Sequence, residues 1–103
     1  MRRTERIDIP LHHPVFDGHF PGHPIVPGSL LLDLVLTAWN GPVAAVPSVK
    51  FQRTVRPGET LSLCFTPATQ GPTVRFSCLR DEVLVCSGLL LPDAAQSSWR
   101  PEP

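Results

Sequence analysis

Net charge is what this 103-residue chain lacks most plainly: nine Lys and Arg are balanced by nine Asp and Glu. A nucleic-acid partner would call for a basic excess, so none is expected. Long apolar runs are also missing. The longest, Leu30 to Leu36, is interrupted by Asp33 and falls far short of the roughly 20 residues a membrane span requires. The N-terminal MRRTERIDIP begins basic, but no apolar stretch follows, which is not a signal-peptide pattern. Cysteine is scarce. Cys64, Cys78 and Cys86 are odd in number, show no C-x-x-C spacing and lie in apolar, strand-like runs. They are expected to be buried free thiols in a reducing compartment. These absences together predict a cytoplasmic protein with no membrane association.

Composition then sets the scale. Hydrophobic residues make up 42% of the chain and charged residues only 17%, a globular balance. A domain this small hides only about 60–65% of its unfolded surface, so part of the surface is expected to be covered by another copy. Eight of the nine basic residues are Arg. Arg suits phosphate and carboxylate recognition, and a GC-rich genome produces the same bias.

The alternation of Ile7, Ile9 and Leu11 predicts a first strand over residues 5–11. Residues 12–28 hold four Pro, three Gly and all four His. A rigid loop of that length inside a small domain points to function. Pro27, Gly28 and Ser29 signal a helix start, with Ser29 as a candidate cap. The run SLLLDLVLTAWN reads as a helix stopped by Asn40-Gly41-Pro42. Ser29, Asp33, Thr37 and Asn40 form one polar stripe within about 80°, while every other position from Leu30 to Trp39 is apolar. Such a helix is expected to be buried nearly all round.

Beyond it the period changes to two. Val49 and Phe51, then Leu61, Leu63 and Phe65, then Val74, Phe76 and Cys78 alternate with polar residues. Pro57-Gly58, Gln70-Gly71-Pro72 and Arg80-Asp81-Glu82 mark turns. Residues 83–91 are apolar on both faces, as in a central strand. The expected order is one strand, a long loop, one buried helix and four strands in antiparallel succession. That is an α+β fold whose curved sheet wraps the helix and leaves an edge for a second copy. Residues 1–91 are expected to form one domain and 92–103 a flexible tail.

The chemistry concentrates in HFPGHPIVPG, residues 19–28. Three Pro and two Gly fix its path into the helix N-terminus, where backbone N–H groups lack intrahelical partners. Gly28 lets a carbonyl approach its N–H closely, an arrangement that stabilises an oxyanion. Asp33, alone among Leu and Val, is expected to be desolvated and raised in pKa. The bland alternatives are a backbone-capping His19 and an Asp33 that belongs to a solvated stripe. The spacing of the four His fits no common zinc pattern.

HFPGHPIVPGSLLLD resembles the active-site signature of the hotdog-fold β-hydroxyacyl-acyl-carrier-protein dehydratases, H-F-P-G-x-P-x-x-P-G followed by an acid fourteen positions after the His. Here His19 and Asp33 are fourteen apart. KFQRTVRPGETLSL and TVRFSCLRDEVLVCSGLLL resemble the family's later strands, so the resemblance covers residues 8–91. It implies a homodimer joined edge to edge, with scope for a higher oligomer, in which His19 of one subunit faces Asp33 of the other. It implies loss of water from a 3-hydroxyacyl thioester carried on the phosphopantetheine arm of an acyl carrier protein. His19 would take the α proton, Asp33 would protonate the leaving hydroxyl and the Gly28 N–H would polarise the carbonyl. Ser29 would lie against the substrate, and Phe20 would either line the acyl tunnel or pack the core. No metal or organic cofactor is implied. Two departures stand out: the acid is Asp where most dehydratases carry Glu, and Thr37 stands where a Gln often orients the acid. The short chain reads as a compact stand-alone variant. The rival readings are a hotdog thioesterase and a non-catalytic acyl-thioester-binding subunit. Arg53 and Arg56 are either a basic patch for an acidic carrier or ordinary surface charge.

Overall fold

The computed structural model of the chain describes residues 2–12, 25–69 and 71–93. It contains β1 (Arg3–Asp8), α1 (Gly28–Trp39), β2 (Val43–Phe51), β3 (Thr60–Pro67), β4 (Val74–Arg80) and β5 (Val83–Pro92). The five strands form one sheet in the order β1-β3-β4-β5-β2, every neighbouring pair antiparallel. The meander β3-β4-β5 follows from its alternation: Leu61, Leu63, Phe65, Val74, Phe76, Cys78 and Leu90 are all fully buried on the helix side.

The expected succession fails at one strand. β2 does not pair with β3; it lies at the far edge, against β5. It also starts earlier than the alternation of Val49 and Phe51 suggests, because Pro47 conceals its first half. A proline cannot donate to a ladder, so it is tolerated on an edge strand, and the register shifts between Val43, Ala45 and Ser48. At the other end, β1 stops at Asp8. Ile7 and Ile9 are buried, but Leu11 is 69% exposed and does not continue the strand.

The turns follow the sequence closely. Gly58 takes φ 84°, and its N–H donates to the Ile9 carbonyl at 3.0 Å. Arg80 and Val83 are register partners, with Asp81 at φ 50° and Glu82 at φ 67° between them. A two-residue hairpin turn of this hand needs positive φ at both central positions. β5 runs one residue past the expected domain limit, to Pro92, which pairs with Val43. Residues 94–103, most of the expected tail, lie outside the described residues.

The helix begins after Pro27 and ends where Asn40 turns left-handed, its N–H donating to the Leu36 carbonyl. Leu30, Leu31, Val35 and Trp39 pack into the core, and Trp39 meets Phe65 edge-on at 5.0 Å between ring centroids. Arg3 reaches over from β1. Its Nη2 donates to the carbonyls of Ala38 (2.9 Å) and Trp39 (2.8 Å), and its guanidinium lies 4.7 Å from the Trp39 and Phe65 ring centroids. A cation at a helix C-terminus satisfies orphan carbonyls and complements the dipole. None of the described helices is long and apolar enough to cross a membrane.

Candidate functional site

The segment leading into α1 is held from the side. Val26 N–H donates to the Val55 carbonyl at 2.7 Å, which ties it to the loop between β2 and β3. The first bond inside the helix runs from Leu31 N–H to the Pro27 carbonyl at 3.1 Å. The amides of Gly28 and the two residues after it are therefore the helix's leading donors. Pro27 is the N-cap, in extended geometry and without a side-chain cap bond. Ser29 is thus inside the first turn, two places too late to cap, which corrects the expected role. A proline cap has no side-chain acceptor to offer those amides, so they remain directed at whatever sits in front of the helix.

Gly28 is needed here for space. A Cβ at this position would come within 2.9 Å of Cε2 and Cζ of Phe51. Phe51 ends β2 and is 45% exposed, so its ring forms one wall beside the leading amides. In the sequence Phe51 is only an alternating strand residue. Its period gave a face, but nothing in it indicated that this face meets the helix start.

Asp33 lies five residues further along, about 7.5 Å up the helix axis. Together with Ser29, Thr37 and Asn40 it makes a stripe exposed along its whole length. The expected desolvation of Asp33 is therefore absent within a single chain, and the helix is covered on one side only. Thr37 does not orient the carboxyl. Its hydroxyl donates to the backbone carbonyl of Asp33 at 2.8 Å, the local back-bond a mid-helix Thr commonly makes. His19 and Phe20 lie outside the described residues.

The two edges of the sheet differ in their protection. β1 is rich in charge (Arg3, Glu5, Arg6, Asp8), the usual protection against strand addition. β2 carries one charge, Lys50, and leaves Val49 (37%) and Phe51 exposed. Nearby, Gln52 and Arg53 N–H groups both donate to the Val85 carbonyl, at 2.9 and 3.3 Å. Glu59 accepts from Arg56 N–H (2.6 Å) and Arg80 Nη1 (2.9 Å). Among the described residues no carboxylate pairs with the Arg53 or Arg56 guanidinium.

One helix laid on a curved antiparallel sheet in this strand order, with a proline-glycine-framed helix start, defines a hotdog protein. The ApeI-like family, described as ApeI dehydratase, matches residues 2–89, and the chain belongs to that family. It is 38% identical to a 3-hydroxyacyl-acyl-carrier-protein dehydratase FabZ from Latilactobacillus sakei, over 59% of this chain and 53% of that protein. The chain spans about half the length of the curated relatives it matches. The dehydratase heterocomplex ApeI:P from Xenorhabdus doucetiae superposes with a TM-score of 0.69 at 24% identity, covering 87% of this chain and 85% of that one. A mutant of the fluoroacetyl-CoA-specific thioesterase FlK does so at 0.62 and 15%, covering 87% and 82%. These two likenesses establish the fold, which hosts both chemistries.

Proposed function

We propose that the chain is a dehydratase that removes water from a 3-hydroxyacyl thioester held by an acyl carrier protein, acting in the cytoplasm as a homodimer. The observation that carries this reading is one helix bearing both a leading backbone amide at Gly28 and, about 7.5 Å along its axis, the carboxyl of Asp33. That helix stands in register with a His fourteen positions before the acid. Membership of a dehydratase family supports it.

In this mechanism His19 of one subunit removes a proton from the carbon α to the thioester carbonyl. Charge grows on the carbonyl oxygen and is met by the Gly28 N–H, an oxyanion donor fixed before reaction. The C3–O bond breaks as Asp33 of the other subunit delivers a proton to the hydroxyl. Water leaves and the C2=C3 double bond remains. Proton transfer from His19 back to Asp33 resets both groups. Pairing of β2 with its copy would cover the exposed stripe and supply the burial that Asp33 lacks in a single chain. The guanidinium groups of Arg53 and Arg56, which pair with no carboxylate among the described residues, suit an acidic carrier.

The test is turnover of a 3-hydroxyacyl thioester, followed by enoyl absorbance, with wild type, His19→Ala and Asp33→Asn. Losses of about a hundredfold or more are expected for both variants. Equal activity in all three removes these roles. Release of free thiol instead of enoyl product would favour the thioesterase reading. Activity only in the presence of a second, different hotdog chain would favour a heteromeric subunit, the arrangement named for ApeI:P.

A further inference from the structure

We propose that Cys78 and Cys86 are a redox-active dithiol that closes into a cross-strand disulfide within the folded protein. The two are register partners on β4 and β5, both are fully buried and both are free thiols. Directly opposed residues of an antiparallel pair have Cα atoms about 4.5 or 5.5 Å apart. Either spacing lies within the roughly 4.4–6.8 Å that a disulfide spans. Their side chains share one face and are within hydrogen-bonding reach of each other.

The two thiols share one environment. The hydrogen bond from Cys78 holds the Cys86 thiol below its ordinary range, while that same bond and burial push Cys78 up. The two thiols are joined by this one hydrogen bond, so either sulfur can open the reaction and the other resolve it. Two features favour local opening that would admit a small oxidant. The ladder is irregular between Cys78 and Leu79, where Val85 is the extra residue on β5, and bulges loosen local pairing. The hairpin tip is close as well: only the pairs Leu79–Leu84 and Arg80–Val83 separate it from the thiols. Fraying at a hairpin tip is among the lowest-energy openings of a fold.

With a hydroperoxide as oxidant, one of the two sulfurs attacks the O–O bond. An S–O bond forms, the O–O bond breaks and, with hydrogen peroxide, water departs. The other sulfur then displaces the second oxygen as water, forming S–S. Both thiols are oxidised and the peroxide is reduced. The bond lies in a row that matters, because Cys86 also faces Phe51 across the β5–β2 pair. Closing it fixes the line of residues that ends at the ring over Gly28. Cys64 points to the other face, its sulfur receiving the Arg2 Nε–H at 3.1 Å, and serves as an internal control.

The test exposes the folded chain to hydrogen peroxide, removes it with catalase, unfolds in N-ethylmaleimide without reductant and maps tryptic peptides by mass spectrometry. Cleavage after Arg80 separates the two cysteines, so a link joins two peptides. The expected result is a Cys78–Cys86 link with Cys64 alone alkylated, reversal by dithiothreitol, the same link in Cys64→Ser, and a higher Tm for the oxidised form. Alkylation of all three thiols, or oxidation that ends as sulfinic acid without a link, would overturn the proposal.

Discussion

The ring of Phe51 lies against Gly28 so closely that a Cβ there would sit 2.9 Å from two ring carbons. The last residue of an edge strand and the first residue of the helix are thus fitted to each other. Gly28→Ala must displace either the ring or the helix start. In the proposed reaction it should lower kcat/KM about tenfold or more, since oxyanion donors act only when correctly placed. Phe51→Leu in that background frees space and should restore part of the loss. A double variant no better than Gly28→Ala would show that the ring is not what the new methyl meets.

A second close fit is purely structural. A Cβ on Gly88 would run into the backbone carbonyl oxygen of Ser48 and come within 2.7 Å of Phe76 Cζ. A backbone oxygen in a ladder cannot move aside cheaply, so Gly88→Ala should cost about 2–3 kcal/mol by urea denaturation. An unchanged midpoint would contradict this packing.

Arg3 ties β1 to the end of the helix through two carbonyls and two rings. Arg3→Met keeps much of the apolar stem and removes the donors. Hydrogen bonds from charged groups contribute about 1.5–3 kcal/mol, so Tm should fall by roughly 10 °C. Arg3→Lys retains the charge without the fork geometry and should fall in between.

Stability should respond to acid through Asp8. Hydrogen bonds from Arg6 and Thr60 and the Arg6 charge hold its carboxyl below the ordinary Asp value. A group depressed on folding stabilises the protein above its unfolded pKa and loses that contribution as pH falls through its folded pKa. Asp8→Asn should therefore flatten the acid side of the stability profile and leave its shape near pH 7 unchanged. Identical acid limbs would show that the carboxyl is not held down.

The exposed edge gives a test of assembly. Val49→Lys places a charge at the centre of the apolar part of β2, where lysine blocks strand addition. Analytical ultracentrifugation should show a monomer that keeps the wild-type circular dichroism, with activity lost along with the dimer. A Val49→Lys protein of unchanged sedimentation would move the interface away from β2.

The periodicity of the sequence determined β3, β4 and β5 closely, because one buried face imposes strict alternation. Gly28 to Asn40 carried its helix limits in its own residues, a proline-glycine start and a residue able to turn left-handed. The His-to-acid spacing was legible for the same reason: it is a local pattern. Only the tertiary structure decided which strands are neighbours. Alternation says which face of β2 is apolar but not that β2 pairs with β5, and Pro47 hid its first half. The meeting of Phe51 with Gly28, of Arg3 with the helix end and of Cys78 with Cys86 likewise depends on how the chain closes on itself. Contacts between residues distant in sequence are fixed by the packing of the whole core, which no local period encodes.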